Sequence, residues 1–451
     1  MFNMHRSALR ASHTEEPNEI ELRAKDVARV HALRQNRSWL NRILLFFMLI
    51  GPGILVMIAD NDAGGVITYA QTGATYGIGF FIPALILSGF IAYAVQEMTV
   101  RLGAVTHRGH AEMIWGRYGA FWGWFSLIDL VVANVLTLIT EFIGITVGLS
   151  VFGVPPALSA GLAILVDAGA LLFLRYYTWE RFALAIAVFN LVFVPLALMA
   201  HPDWHAVIAA LGTWAVPGGF TPVFLFVVLA NFGTTIAPWM LFFQQSSVVD
   251  KGMTVHDIHH GQMDTALGSA AMVVVALALV ILTGTLVHGR PGAGSFDIQQ
   301  ILQIIGQRLG RTGQDLFAIG LAEAGLISAI ALTASTSWAM GEAFDWPKSI
   351  NLPPQVAWRF YLPGIVSAVI AAAIVLIPHA PLGFLNLTVQ VIAAIFMPAA
   401  LMFLLLLLND RDIMGSYVNT PRQNIVAFLI IGLLIVLNGI YGLSVIWPGL
   451  F

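Results

Sequence analysis

Apolar runs of about 17–25 residues recur from one end of this chain to the other, and they leave a single fold class open. They lie near residues 42–73, 79–102, 119–150, 155–174, 182–200, 220–247, 265–288, 313–343, 359–378, 384–408 and 424–448. That makes about eleven segments long enough to cross the hydrocarbon core as helices. Only 10% of the 451 residues are charged, against roughly 25% in a soluble domain, so the chain reads as an all-α, polytopic membrane protein. The linkers are short and carry Pro, Gly or charge, as in Phe152-Gly153-Val154-Pro155-Pro156 and Asn409-Asp410-Arg411-Asp412.

The segment before the first run, about residues 1–38, is polar, of mixed charge, and has no short apolar core followed by a cleavage site. It reads as a cytosolic tail, helical over Ile20–Leu33, and the remainder, 39–451, as one transmembrane domain. With the N-terminus inside, only Arg290, Arg308 and Arg311 of the 21 Lys and Arg residues fall in loops on the outer side. Eleven spans then place the C-terminus outside, in a multi-pass protein of a cell membrane, the bacterial inner membrane being the expected one. The net charge of −3 argues against a nucleic-acid partner, and zero cysteines exclude disulfides and a thiolate metal site. Most of the 12 Trp fall near run ends, where interfacial belts form.

Two runs are interrupted. In the first, Ile58-Ala59-Asp60-Asn61-Asp62-Ala63-Gly64-Gly65 sets two carboxylates and two glycines at bilayer depth. Charge there costs several kcal/mol and marks an ion or substrate pathway. The glycines are expected to let the helix unwind and offer bare carbonyls beside the carboxylates. In the sixth, Asn231-Phe232-Gly233-Thr234-Thr235-Ile236-Ala237-Pro238-Trp239 puts Gly and Pro mid-membrane, five spans after the first break. Corresponding breaks in two halves point to an inverted-repeat transporter with its site at the midplane. Repeat one is expected over about 42–200, repeat two over about 220–408, and an extra helix over about 424–448.

With these residues in place, the chain resembles the Nramp family of divalent-metal transporters along nearly its whole length. Gly51-Pro52-Gly53 opens the first span, and Asp62-Ala63-Gly64-Gly65 stands where the family carries Asp-Pro-Gly-Asn. Gln96-Glu97-Met98-Thr99-Val100-Arg101-Leu102-Gly103 resembles the end of its second span and Glu141-Phe142-Ile143-Gly144 its third. Gly233 to Trp239 occupies the sixth-span break, where the family has Met-Pro-His. Gln390, Pro398 and Asn409-Asp410-Arg411-Asp412-Ile413-Met414-Gly415 match the tenth span and its exit. The resemblance implies a LeuT-like inverted 5+5 repeat with helices 1 and 6 broken, a metal cation as substrate, no cofactor, and a monomer in the lipid bilayer.

The departures from the family pattern narrow the expectation. The metal-binding Asp is kept as Asp62, but the Asn becomes Gly65 and the Met becomes Ala237. A thioether favours Mn, Fe or Cd over hard ions, and its loss removes that discrimination. Mg²⁺ keeps several waters and binds through one or two carboxylates, which suits a roomy site with few ligands. The pattern is similar to the Nramp-related magnesium transporter subgroup, with Asp-x-Asp-Ala-Gly in span one and Ala-Pro-Trp in span six. The family's two sixth-span His positions hold Trp239 and Gln244, and its third-span acid position holds Leu138. The expected activity is therefore uncoupled transport of largely hydrated Mg²⁺, with Mn²⁺ as a second substrate.

The resemblance makes Asp62 the leading ligand, which can also cap the second half-helix; Asp60, two residues earlier, fits holding the ion's water or attracting the ion, and equally a hydrogen-bonded wall residue. It also implies the Thr234 carbonyl as a metal contact and Asn61, Gly65, Ala237 and Trp239 as lining, while Gln390 fits a contact to the ion or its waters as well as an interhelical hydrogen bond. Asp129 and Asn134 fit either an aqueous path or packing, Glu323 has no assignable role, and Glu97 with Arg101 reads as an i,i+4 pair. His256, His259 and His260 read as ordinary loop histidines in preference to a metal cluster. One rival is a proton-coupled Mn²⁺/Fe²⁺ importer, which would keep the Met and both His. Another is a sodium-coupled amino-acid transporter, whose substrate carboxylate Asp60 and Asp62 would repel. A membrane enzyme is disfavoured because no nucleophile–base spacing and no His-Glu-x-x-His motif is present.

Overall fold

In the computed structural model the described residues are 48–216, 218–378 and 382–447. The chain divides into residues 1–50 and 51–451, and only 48–50 of the first unit are described. The tail helix expected over Ile20–Leu33 therefore lies outside the described residues, and the helices named below belong to the second unit.

No strand occurs among the described residues, and ten helical segments have the length and apolarity to cross a bilayer. The first span is not among the ten, because it is built from two short pieces, α1 (Pro52–Ala59) and α2 (Ala63–Tyr76). Joined end to end they supply an eleventh crossing. The second span is α3 (Phe81–Thr106), which a short helix α4 (His110–Tyr118) links to α5 (Ala120–Ser150) and then α6 (Pro156–Phe173). The fifth consists of α7 (Tyr176–Ala187), a 3₁₀ turn and α8 (Phe193–Met199), followed by the loop helix α9 (Trp204–Ala210).

The second half repeats the pattern of a broken opening span, with α10 (Pro222–Thr235) and α11 (Pro238–Asp250). Next come α12 (Ile258–Leu286), α13 (Ile298–Ala343), α14 (Pro354–Val375), α15 (Leu382–Asn409), the turn helix α16 (Arg411–Met414) and α17 (Pro421–Ile446). The eighth span starts earlier than its apolar run predicts. Residues from Ile298 form a helix capped by Asp297, and Gly310, at φ 73, bends the chain into the span proper. Proline at the first helical turn starts α1, α6, α10, α11, α14 and α17.

Burial separates core from periphery. In the most apolar stretches of the broken sixth span and of α13, 83% of residues are buried, against 22% in α17. The breaks thus sit in the protein interior, where irregular backbone is tolerated, and α17 shows most of its surface to lipid. The start of α1 has no cap from its own N-cap residue, Gly51. Asp264 of α12 serves instead, accepting from the N–H groups of Gly51 (3.1 Å), Gly53 (2.6 Å) and Ile54 (3.2 Å). A carboxylate on these orphan donors satisfies both hydrogen bonding and the helix dipole.

Other polar residues of the spans have structural partners. Glu97 and Arg101 form the expected buried pair at 3.1 Å. Asn134 bridges α5 to α13 through Thr336 at 2.9 Å, so packing is the reading it supports. Asp129 is only partly buried. His259 and His260 stack edge to face, and no group of three metal-binding side chains occurs among the described residues.

Candidate functional site

The first-span break spans Asp60, Asn61 and Asp62, between the end of α1 at Ala59 and the start of α2 at Ala63. Gly64 and Gly65 are not where the helix unwinds, contrary to the expectation. They form the first turn of α2, held helical by the acceptors around it, and what they provide is close approach. A Cβ on Gly64 would collide with the Gln390 amide, and one on Gly65 would crowd Thr234 Oγ1.

Asp62 and Glu141 together hold the N-terminus of α2. The Asp62 carboxylate accepts from the Gly65 N–H, and Glu141 Oε2 accepts from the Ala63 N–H at 2.9 Å. Glu141 Oε1 takes the Thr140 hydroxyl at 2.9 Å. Asp62 also lies beside the Thr234 hydroxyl and Glu141. Asp62 is thus a helix cap while its remaining carboxylate surface faces the sixth-span break.

Asp60 is different. It is 1% exposed, and neither carboxylate oxygen has a hydrogen-bond partner in the protein. Buried carboxylates are rarely left so, and this one sits two residues from another. Asn61 turns the other way: its side-chain amide donates to the Met272 carbonyl at 3.0 Å, and its backbone carbonyl accepts from the Asn190 side chain at 3.1 Å. Asn190 also reaches Glu323 at 3.4 Å, which gives that glutamate a structural partner.

In the sixth span α10 ends at Thr235 and α11 begins at Pro238. Pro238 has no N–H, so the Thr234 carbonyl four residues earlier lacks its helical donor. Gly233 stays helical and packs against the Gln390 carbonyl of α15. Ala237 brings no donor atom, and the thioether of Met240 folds back to accept from the Ala237 N–H at 3.4 Å. Trp239 is 1% exposed, its indole N–H unpartnered and its carbonyl accepting from Ser335 at 3.3 Å. Gln390 is 1% exposed, with its amide nitrogen unpartnered against Gly64.

Asp62, Thr234, Gln390, Gly65 and the first turn of α2 therefore converge, while the Asn61 side chain points toward α12. Gln244, at one of the two histidine positions, is fully engaged as a structural amide, accepting from Thr99 at 3.0 Å and donating to Thr265 at 2.8 Å.

A cavity of about 690 Å³ runs along the C-terminal half of α2, lined by Ile67, Gln71, Thr72 and Thr75 with residues of α5, α10, α15 and the loop before α13. At the opposite end α11 is tied down. Lys251 Nζ meets both Glu180 oxygens at 2.9 and 2.8 Å, Ser246 donates to Glu342 at 2.5 Å, and Tyr176 pairs with Ser247 at 2.5 Å. None of these contacts, nor Asn386 of α15, carried a motif; for Ser246, Ser247, Glu342 and Asn386 the only signal was polarity inside an apolar run.

A family model described as natural resistance-associated macrophage protein-like, Nramp, matches residues 53–444. The divalent metal cation transporter MntH of Brucella suis biovar 1 is 27% identical over 433 residues, covering 93% of this chain and 92% of that protein. The MntH of Staphylococcus saprophyticus is 28% identical over 418 residues, covering 87% and 91%. Among solved structures, an Eremococcus coleocola manganese transporter in complex with an aromatic bis-isothiourea substituted compound aligns with a TM-score of 0.75 at 22% identity, covering 90% of this chain and 87% of that one. MhsT in complex with L-phenylalanine aligns at 0.58 and 14% identity, covering 87% and 98%.

Proposed function

This chain belongs to the Nramp family, and from that premise we propose that it moves Mg²⁺, and with it Mn²⁺, across the membrane in largely hydrated form and without protons. The broader assignment, a multi-pass transporter of divalent metal cations with a LeuT-like fold, comes with the family and the fold. The narrower one rests on the composition of the break.

The observation that carries it is the Asp60 carboxylate, buried, unpartnered and two residues from Asp62. Two neighbouring buried carboxylates call for a dication, and nothing around them supplies a full inner coordination shell. Gly65 and Ala237 offer no side-chain ligand, the Met240 sulfur is committed to the Ala237 N–H, and the free Thr234 carbonyl adds one oxygen. A site of few oxygen donors leaves the remaining coordination to water, which suits Mg²⁺. In this reading Asp62 and the Thr234 carbonyl touch the ion, and Asp60 and Gln390 hold its waters.

The same neighbourhood supports the reading without proton coupling. Gln244 is locked between Thr99 and Thr265, Leu138 and Trp239 do not titrate, and Glu141 is occupied in holding α2. Membrane potential alone supplies about 2.3 kcal/mol per charge per 100 mV, doubled for a dication. In this reading the protein works as a monomer with its N-terminus in the cytosol, so that the cavity along α2 faces outward and the tied end of α11 inward, an arrangement that fits alternating access.

The test is selectivity in proteoliposomes. Wild-type protein is expected to admit Mg²⁺, whereas entry of Mn²⁺ with exclusion of Mg²⁺ would overturn the assignment. Ala237→Met restores a thioether at the break and is expected to shift the Mn²⁺-to-Mg²⁺ uptake ratio about tenfold toward Mn²⁺, the size of one modest ligand contact. An unchanged ratio would mean that the missing sulfur does not set selectivity.

A further inference from the structure

Between the outer cavity and Asp62, α2 presents Gly64, Thr68 and Thr72 at four-residue spacing, on one face of the helix. Two asparagines from other helices dock on this face. Asn386 of α15 donates from Nδ2 to the Gly64 carbonyl and to Thr68 Oγ1, both at 3.2 Å. Asn231 of α10 donates from Nδ2 to Thr72 Oγ1 and to the Val227 carbonyl, both at 2.8 Å.

Both amide orientations are fixed by chemistry, because the Gly64 and Val227 carbonyls can only accept and so must face nitrogen. Each docking contact therefore leaves the amide oxygen over. Asn386 is 0% exposed and Asn231 5%, and Oδ1 of each is buried without a partner in the protein. Other buried asparagine oxygens, such as those of Asn61, Asn134 and Asn190, also lack a partner; what sets these two apart is their place at successive levels of one helix face that leads to Asp62. Thr72, to which Asn231 is bonded, lines the outer cavity, and Gly64, to which Asn386 is bonded, touches Gln390.

We propose that Asn231 and Asn386 are positioning residues for the ion's water shell, forming a waiting site between the outer cavity and Asp62. This inference rests on the hydrated-cation reading. Water bound to a dication is a strong hydrogen-bond donor directed outward, and a neutral amide oxygen accepts it without a charge that would trap the ion. Binding along a path must be favourable enough for entry and weak enough for onward movement. Two neutral amide oxygens at successive levels of α2 meet both conditions, and they disfavour anions.

The test uses the full chain in proteoliposomes at fixed potential, with Asn386→Leu and Asn231→Leu of similar size and Asn386→Asp and Asn231→Asp of opposite tendency. Each Leu variant is expected to raise the Mg²⁺ KM roughly tenfold with kcat nearly unchanged, as for one lost water-mediated contact. The Mn²⁺ KM should rise less, because Mn²⁺ gives up water more readily. The Asp variants should lower the Mg²⁺ KM and slow turnover. A purely structural role would push Leu and Asp variants in the same direction, with kcat falling for both ions and a lower melting temperature, and that result overturns the proposal. So does an unchanged KM in all four. Where a Leu variant is too unstable to assay, the Asp variant decides, since a raised or unchanged KM overturns the proposal. Wild-type protein that fails to carry Mg²⁺ would instead overturn the hydrated-magnesium reading itself.

Discussion

Replacing Asp62 by Asn is expected to abolish metal flux while leaving helix α2 in place. Asp62 caps α2 and, in the proposed reading, binds the ion, and the substitution separates the two roles. An Asn side chain keeps an oxygen for the Gly65 N–H, so the cap survives. It removes the negative charge, whose attraction for each unit of cation charge at about 4 Å is about 4 kcal/mol at an effective dielectric near 20. Even that single-charge figure corresponds to roughly a thousandfold loss of binding. Uptake in proteoliposomes should fall to background with the melting temperature little changed. Asp62→Ala should lose flux equally but also lose about 1 kcal/mol of stability with the cap. Flux above a tenth of wild type in Asp62→Asn would remove Asp62 as a ligand.

The second large effect is expected at the other end of α11. The Lys251 ammonium and the Glu180 carboxylate are 0% and 3% exposed, and the carboxylate packs against Gly51 at the start of α1. Lys251→Met takes away the ammonium that meets both carboxylate oxygens. Breaking a buried pair in this way costs about 3–5 kcal/mol. Because the pair ties α11 to α7 in the conformation seen here, the loss falls on that conformation and favours one open at this end. A shift of that size exceeds a hundredfold in a two-state equilibrium. The chain has no cysteine, so a single reporter reads it cleanly. Val56→Cys, buried in α1, should be labelled by a cytosolic thiol reagent far faster in the Lys251→Met background. An unchanged labelling rate would show that the pair does not hold this end closed.

The number and approximate position of the spans were legible because bilayer thickness imposes helix length directly on the sequence. The two breaks were legible for the same reason, since charge, Gly and Pro stand out against an apolar run. What the glycines do was not. Gly64 and Gly65 look like points of unwinding until Gln390 and Thr234, far away in the chain, are seen packed against them. The cap on α1 comes from Asp264, more than 200 residues away, and no local pattern announces it. The helix from Ile298 was missed because it is polar on the side turned from the protein and belongs to a loop, where length carries no signal. Asn386 lies one turn from Gln390, yet only its docking on Gly64 and Thr68 shows which of its atoms is left over.

Histidine chemistry illustrates the same limit. His110 in the connecting helix α4 is buried, which pushes its pKa down to about 4 despite the Gln245 hydrogen bond at 2.8 Å that acts the other way. It is therefore neutral at pH 7, a packing residue and not a proton carrier. Composition alone counts it among 12 histidines of equal standing.

The central claim, passive entry of a hydrated dication, is tested most directly by following Mg²⁺ and internal pH together in proteoliposomes containing the full chain. An inside-negative potential should drive Mg²⁺ in, at a rate that rises with the potential and is indifferent to a pH gradient, with no acidification of the lumen. Acidification that accompanies metal uptake, or Mg²⁺ that stays out while Mn²⁺ enters, would contradict it.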